Sequence, residues 1–395
     1  MKIAAGLDAG SSTTRCMIYG LDGATVRFLG CGEAECGGWF KARVADRDRL
    51  TESVLKAVEL ASRQAQVEIE SVVVGVGGPA VKGFNHTWRY DFDRPREVDT
   101  RDLRYAIERA SDVRLEHDRM ILHVCPQDFT VDGRSRYYYP RGATCTRLEA
   151  NVHLVTTSTQ ETHAVVSAIH QAHLAVDEIV FEPLAAAYAA VLQEDRKRGV
   201  ALIDIGMHST DLVIYDGDAL VHSRSLPVSG DHLTRDVVWG LTVSYEDAEL
   251  LKRQYGCAML GLTADNSFIE VPSAEDREPR SAPCRRLNEI LEARAEELFF
   301  YVQEELFVAG MDQALIEGVI LTGGGALLPG MCDMAEMVLN CQARLGLTIG
   351  VRDLPAEYEG PLWTTAAGLA MYAARLRHRS EKRRKAPGLL GMVAR

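Results

Sequence analysis

Two short stretches of the chain set a carboxylate, a glycine and small hydroxyls in the same order: Asp8-Ala-Gly10-Ser11-Ser12-Thr13-Thr14 and Asp204-Ile-Gly206-Met207-His208-Ser209-Thr210-Asp211. That set suits nucleotide phosphates. The glycine admits backbone N–H groups to an oxygen, the hydroxyls donate, and the carboxylate takes Mg²⁺ or its waters rather than the phosphate itself. One such stretch means little, since any hairpin can end in Asp-x-Gly. Two in register, 196 residues apart, with Ile18-Tyr19 echoed by Ile214-Tyr215, point to a duplicated unit and a clamp that grips a ligand from two sides. A third glycine element, Thr322-Gly323-Gly324-Gly325, ends an apolar run from Val319 and precedes a helix opening near Pro329. Bare backbone there is free to lie against a flat or anionic ligand.

Each Asp-x-Gly stretch sits between two apolar runs, the signature of a β-hairpin. Short apolar runs at 71–76 and 199–203 predict buried strands, and segments 48–66, 159–171, 183–194, 284–309 and 363–378 have helical character. Strands alternating with amphipathic helices predict an α/β fold of two related domains. On the longest helix Leu287, Ile290, Leu291, Leu298, Val302 and Leu306 share one face, with Arg294 and Glu297 off it. The pattern of the first domain breaks between about 81 and 156. There Gly77-Gly78-Pro79 and Lys82-Gly83 lead into a helix at about 99–114 and strand-like runs at 119–130 and 150–156, which predicts a small α+β insertion. Residues 261–283, rich in proline and charge, predict an exposed loop.

A chain of 395 residues exceeds what one hydrophobic core fills, and 47% hydrophobic with 25% charged residues excludes disorder. The nine cysteines form no CxxC pair, which fits reduced thiols rather than a disulfide framework or zinc site. His163, His170 and His173 share helical spacing, but no carboxylate or cysteine pattern completes a metal site. The N-terminus lacks a hydrophobic leader core and no stretch of about 18 apolar residues occurs, so a cytoplasmic protein that does not span a membrane is expected. The net charge of −12 hides an asymmetry. Residues 375–395 carry eight basic side chains against Glu381 alone, a net of +7 that leaves −19 on the remainder, and they end in the apolar run Gly388-Leu389-Leu390-Gly391-Met392-Val393. Positive charge beside apolar residues suits an anionic lipid surface and not nucleic acid.

The order of hairpin, Glu182-Pro183-Leu-Ala-Ala-Ala connector, second hairpin and Thr322-Gly-Gly-Gly loop resembles the actin/Hsp70/sugar-kinase ATPase superfamily. More narrowly, residues 1–375 resemble the FtsA family of bacterial cell-division proteins. The narrowing residues are Ile121-Leu-His-Val-Cys-Pro126-Gln127-Asp-Phe-Thr-Val-Asp132-Gly133, Arg147-Leu-Glu-Ala-Asn-Val-His-Leu-Val-Thr156, Val228-Ser-Gly230-Asp-His232-Leu-Thr234-Arg-Asp236 and Ile290-Leu-Glu-Ala-Arg294-Ala-Glu-Glu297-Leu. The resemblance implies an actin-like, two-lobed ATPase fold of duplicated RNase H-like domains with the FtsA-type insertion in place of actin's usual subdomain. It places lobe 1 at 1–80 plus 355–378, the insertion at 81–158, lobe 2 at 159–240 plus 312–354, a small subdomain of lobe 2 at 241–311 and a tail at 379–395.

The resemblance also implies roles. Asp8, Gly10, Ser11 and Ser12 form the first phosphate loop, and Asp204, Gly206, Ser209, Thr210 and Asp211 the second, with Asp8 and Asp204 serving Mg²⁺. Glu182 orients the attacking water, Gly323, Gly324 and Gly325 flank the adenosine, and Glu249 and Lys252 contact ribose and adenine. Arg294 and Glu297 hold the C-terminal peptide of the tubulin-like protein FtsZ. The implied function is an ATP-binding protein that polymerises with itself, meets other division proteins through 81–158, and tethers FtsZ filaments to the inner face of the cell membrane through 375–395. ATP serves mainly as a conformational switch, with at most slow hydrolysis.

Three departures stand out. Met207 and His208 replace two glycines of the family's second phosphate loop, where side chains hinder phosphate approach. Tyr139-Pro140-Arg141-Gly142 replaces the insertion's usual Asp-Pro-Val-Gly turn. The end of the chain has no aromatic residue, unlike the family's amphipathic helix. Two alternatives are a PilM-like adaptor of type IV pilus assembly, which shares the insertion, and a small-molecule kinase of the same superfamily, for which no sugar-pocket segment stands out.

Overall fold

The computed structural model describes residues 2–23, 25–272 and 279–385. Two five-stranded sheets dominate it. In the first, Lys2–Ala9, Thr13–Asp22 and Thr25–Glu35 form an antiparallel meander, and Ser71–Val76 and Ala175–Phe181 add parallel strands on the other side of Lys2–Ala9. In the second, Val200–Ile205, Thr210–Asp216 and Ala219–Leu226 form the meander, and Val319–Thr322 and Ala343–Leu345 the parallel pair. The two sheets share one topology, so the echo between the Asp-x-Gly stretches is a duplication of the whole sheet.

Each sheet is buried on both faces, which explains its continuous apolar runs. Leu7, Cys16 and Ile18 pack under the helix Arg47–Ala65, whose N-terminus Asp46 caps by accepting from Arg49 N at 3.1 Å. The opposite face meets the C-terminal helix Thr364–Lys385 through Ala4, Val73 and Leu369. In lobe 2, Ile203, Leu212 and Leu321 pack with Leu287, Leu291, Leu298, Val302 and Leu306 of the long helix Cys284–Val308, and Leu202 and Val213 with the connector helix Glu182–Ala190.

The insertion is a four-stranded sheet, ordered Lys82–Glu97, Thr144–Ser158, Arg119–Val131, Arg134–Tyr137, backed by the helix Thr100–Ser111. The chain enters and leaves it from lobe 1, yet its sheet rests on lobe 2. Asn85 Nδ2 donates to Val221 O at 3.1 Å and Gln127 Nε2 to Leu220 O at 2.9 Å, and His153 Nε2 lies 2.8 Å from Ser223 Oγ.

The strand Ala175–Phe181 lies in the first sheet and the helix Thr159–Gln171 packs on that sheet's core, so lobe 1 takes in residues that the expected division at 159 gave to lobe 2. Three elements also differ from the sequence expectation. The helix expected over 183–194 stops at Ala190, because Val191 turns extended to bury its side chain; a separate helix Gln193–Arg198 then starts, with Asp195 accepting from Leu192 N at 3.2 Å. The exposed loop expected over 261–283 contains a ribbon pairing Phe268–Val271 with Arg280–Pro283, and Ile269 and Val271 are buried in lobe 2. The last helix continues past 378 to Lys385, through residues of good helix propensity.

Candidate functional site

Both Asp-x-Gly stretches form hairpins with one register. Asp8 pairs with Arg15 and Asp204 with Asp211, and each lead aspartate is the penultimate residue of its strand. Gly10–Ser12 and Gly206–Ser209 make the turns, the second closed by Gly206 N donating to Ser209 O at 2.9 Å. Glu182 opens the connector helix at the end of the strand Ala175–Phe181, so strand and helix together carry its carboxyl to the same place. The insertion steadies this junction: Phe181 N donates to His123 Nε2 at 3.0 Å, and burial keeps that imidazole neutral by pushing it down to about 4.

The result is a crevice floored by four carboxylates, Asp8 and Glu182 from lobe 1 and Asp204 and Asp211 from lobe 2. Their electrostatics follow from crowding in low dielectric. Burial pushes Asp8 up to about 6 against the pull of Arg15. Burial, then Asp8 and Asp211, push Asp204 up to about 7, opposed by hydrogen bonding that includes Thr365 Oγ1 donating to Asp204 Oδ2 at 3.0 Å. Glu182 is raised well above the usual carboxylate range by burial and by Asp8, Asp211 and Asp204. Asp211 is raised by burial and steadied by Gly78 N at 3.0 Å and Ser209 Oγ at 3.1 Å.

Glu249 and Lys252 connect to the turn of the second hairpin through the helix Gly230–Leu241. Lys252 Nζ lies 2.6 Å from Glu249 Oε2, and donates to Thr234 Oγ1 at 2.7 Å and Gly230 O at 3.2 Å. Gly230 N and Asp231 N donate in turn to the carbonyls of Gly206 and Met207, at 2.9 and 2.8 Å. Burial works against the charged form of Glu249, and the Lys252 ammonium overcomes it, holding the carboxyl below its ordinary value. Gly323 follows the strand Val319–Thr322 and donates its N–H to Pro361 O at 3.0 Å, while Gly324 and Gly325 open a single 3₁₀ turn. Thr210 is fully buried, so its side chain faces the core. Met207 and His208 are half-buried, and burial lowers the His208 imidazole.

Arg294 and Glu297 stand apart from this crevice. Arg294 grips Asp236 with two nitrogens, Nε at 2.5 Å and Nη2 at 3.1 Å, and pairs with Glu297 one turn on. His163, His170 and His173 are exposed. Of the tail, Arg377 bonds Ser71 Oγ at 3.0 Å and Asp177 at 3.3 Å, and residues 386–395 lie outside the described residues. Among the described residues no helix is long and apolar enough to cross a membrane.

Sequence reasoning missed Gly77, Gly78 and Thr365 as parts of the site. The Gly77-Gly78-Pro79 run was visible as punctuation, whereas nothing local marks a threonine in a helix as the partner of an aspartate 161 residues away.

Duplicated sheets with paired aspartate hairpins around a crevice define an actin-like protein. Solved structures agree: the PilM-PilN type IV pilus biogenesis complex matches with TM-score 0.67 at 19% identity, covering 94% of this chain and 98% of that one. MreB5 of Spiroplasma citri bound to ADP matches at 0.59 and 14% identity, covering 96% and 99%. Family models narrow the class. Residues 201–368 match "Cell division protein FtsA" and residues 78–156 the "SHS2 domain inserted in FTSA". The Cell division protein FtsA of Pseudomonas aeruginosa is 32% identical over 373 residues, covering 94% of this chain and 89% of its own length. The chain belongs to the FtsA family of cell-division proteins.

Proposed function

We propose that the chain binds ATP with Mg²⁺ between its lobes and uses it to switch a self-assembling tether between FtsZ filaments and the cell membrane. The observation that carries this reading is the convergence of Asp8 and Glu182 from one lobe with Asp204 and Asp211 from the other, beside two glycine turns. Crowded, buried carboxylates resist ionising together, and a divalent cation that offsets their mutual repulsion favours the ionised forms. The donors are all oxygen, as Mg²⁺ requires. Asp8 and Asp204 would hold Mg²⁺, which when bound offsets the charge of the phosphates.

In this reading Gly10, Ser11, Ser12, Gly206 and Ser209 present N–H and O–H donors to phosphate, and Asp211 holds the Gly78 N–H and Ser209 hydroxyl in place. Thr210 contributes backbone alone, since its side chain is buried. Glu249 and Lys252 take the ribose and adenine edge, and Gly323, Gly324 and Gly325 offer a bare surface to the adenosine. Burial and the neighbouring carboxylates disfavour the ionised form of Glu182, which would orient the attacking water. A ligand that touches both lobes favours the closed arrangement by its differential affinity, and a head-to-tail contact that does not close on itself gives a filament.

Arg294 and Glu297 would take the FtsZ C-terminal peptide, residues 81–158 would meet a neighbouring copy and other division proteins, and the basic tail would hold anionic lipid, placing the protein at the inner face of the membrane. The likeness to the PilM–PilN complex supports a second reading as an adaptor for a membrane partner's peptide. Calorimetric titration of ATP with Mg²⁺ into wild type and Asp204→Ala tests the switch. Micromolar binding lost in the variant is expected, and a wild type that binds no ATP sinks it. Binding of an FtsZ tail peptide, and not a pilus-protein peptide, separates the two readings.

A further inference from the structure

We propose that Lys41, at the tip of a short hairpin beside the crevice, supplies the cation that recognises the terminal phosphate of ATP and so separates ATP from ADP; this rests on the nucleotide reading above. The hairpin pairs Trp39 with Val44 and Phe40 with Arg43, which leaves Lys41 and Ala42 as a two-residue turn. Both take left-handed backbone, with φ of 48° and 59°. Turns of this shape prefer asparagine and glycine, because a β-carbon crowds the backbone there. A lysine and an alanine held side by side in that region are strained, and such strain persists only where the surroundings fix the backbone.

Here they do fix it. Trp39 and Val44 pack on the core of lobe 1. Ala45 N and Asp46 N both donate to Gly38 O, at 2.9 and 3.0 Å, so the base of the hairpin closes onto the cap of the helix Arg47–Ala65. Arg43 Nε lies 3.4 Å from Glu161 Oε1 of the helix Thr159–Gln171. Anchored in this way, the tip comes to the edge of lobe 2: Ala42 Cβ and Ser209 Oγ stand 3.7 and 3.6 Å from the point that a β-carbon on Gly78 would occupy. Ser209 belongs to the second glycine turn, Gly78 N donates to Asp211, and the preceding Gly77 lies against Glu182, the residue read above as orienting the attacking water. In that reading the tip stands where the phosphate chain ends, not where it joins the sugar.

Charge gives an independent argument. A triphosphate brings more negative charge than one divalent cation offsets, and it enters a crevice already floored by carboxylates. Neighbouring cations are committed elsewhere. Arg15, across from Asp8, pairs with Glu33 at 2.7 Å, and Lys252, behind the second turn, with Glu249 at 2.6 Å. Lys41 is exposed, and among the described residues no carboxylate lies within ion-pairing distance of it; its Nζ rests 5.5 Å from the centre of the exposed Phe40 ring, a weak hold in water. Its flexible four-carbon stem lets the ammonium turn toward a phosphate oxygen while the anchored backbone stays in place. ADP lacks the terminal phosphate, so the contact forms with ATP alone.

Calorimetric titration of ATP and of ADP, each with Mg²⁺, into the full chain tests this in wild type, Lys41→Met and Lys41→Arg. Wild type is expected to bind ATP at least about tenfold more tightly than ADP, the worth of a charge-assisted hydrogen bond. Methionine, which keeps the stem and removes the charge, should lower ATP affinity by about tenfold and move ADP affinity by less than about twofold. Arginine keeps the charge and should hold ATP affinity within about threefold of wild type. The proposal is overturned by a methionine variant that binds ATP as wild type does, by an equal loss for both nucleotides, which would make Lys41 a support of the turn alone, or by an arginine variant as weak as the methionine one. Each of these leaves nucleotide binding intact, whereas a wild type that binds neither nucleotide removes both readings. Should methionine prevent folding, Lys41→Gln makes the same comparison.

Discussion

Gly77 leaves room for Glu182: a β-carbon on this glycine would collide with Glu182 Oε2 and stand 2.9 Å from Asp211 Oδ2. The chain passes between two carboxylates from different lobes at a point where only hydrogen fits. Gly77→Ala should therefore push them apart, lowering ATP affinity at least about tenfold and stability by about 1–3 kcal/mol, the usual cost of overpacking. Gly261→Ala, made in open space, should change neither. Calorimetry and thermal melting of both variants check this, and equal behaviour would remove Gly77 from the site.

Stability should depend on pH through Asp204, whose carboxyl is pushed from 3.8 up to about 7. Between these values the unfolded chain gives up a proton that the folded chain keeps, so stability falls as pH rises from about 4 and levels off above about 7. Asp204→Asn removes the charge. It should be more stable than wild type at pH 8 by about 1–3 kcal/mol, with the gap closing toward pH 4. Urea unfolding at several pH values measures it; a gap that widens on acidification would contradict the assignment.

Arg294→Ala should weaken binding of an FtsZ C-terminal peptide about tenfold or more and leave ATP affinity unchanged. Arg294→Lys should fare little better, because lysine cannot reproduce the two-nitrogen grip on Asp236. Fluorescence anisotropy with a labelled peptide reads both. Unaltered affinity would place the peptide elsewhere.

Deleting residues 379–395 should abolish sedimentation with phosphatidylglycerol vesicles, and the intact chain should release them as salt rises from about 50 to 500 mM, since screening shortens the reach of its charges. Binding that ignores salt would assign the contact to apolar residues instead.

The hairpins were legible in the sequence because Asp-x-Gly between apolar runs is a local pattern, and its repetition exposed the duplicated sheets. The connections across the crevice were not. Gly78 meets Asp211 over 133 residues and Thr365 meets Asp204 over 161, and neither residue type advertises such a partner. Where local signals competed, packing decided. Val191 broke a helix that its neighbours favoured, and Ile269 and Val271 built a ribbon out of a stretch whose prolines and charges predicted a loop.

The matched hairpin register also shows where the duplication has diverged. The residue across from Asp8 is Arg15, whereas its counterpart across from Asp204 is Asp211. Backbone symmetry survives while electrical symmetry does not: one jaw sets an arginine, paired with Glu33, across from its aspartate, and the other sets a second carboxyl there. A cation entering between equivalent strands therefore finds inequivalent hosts.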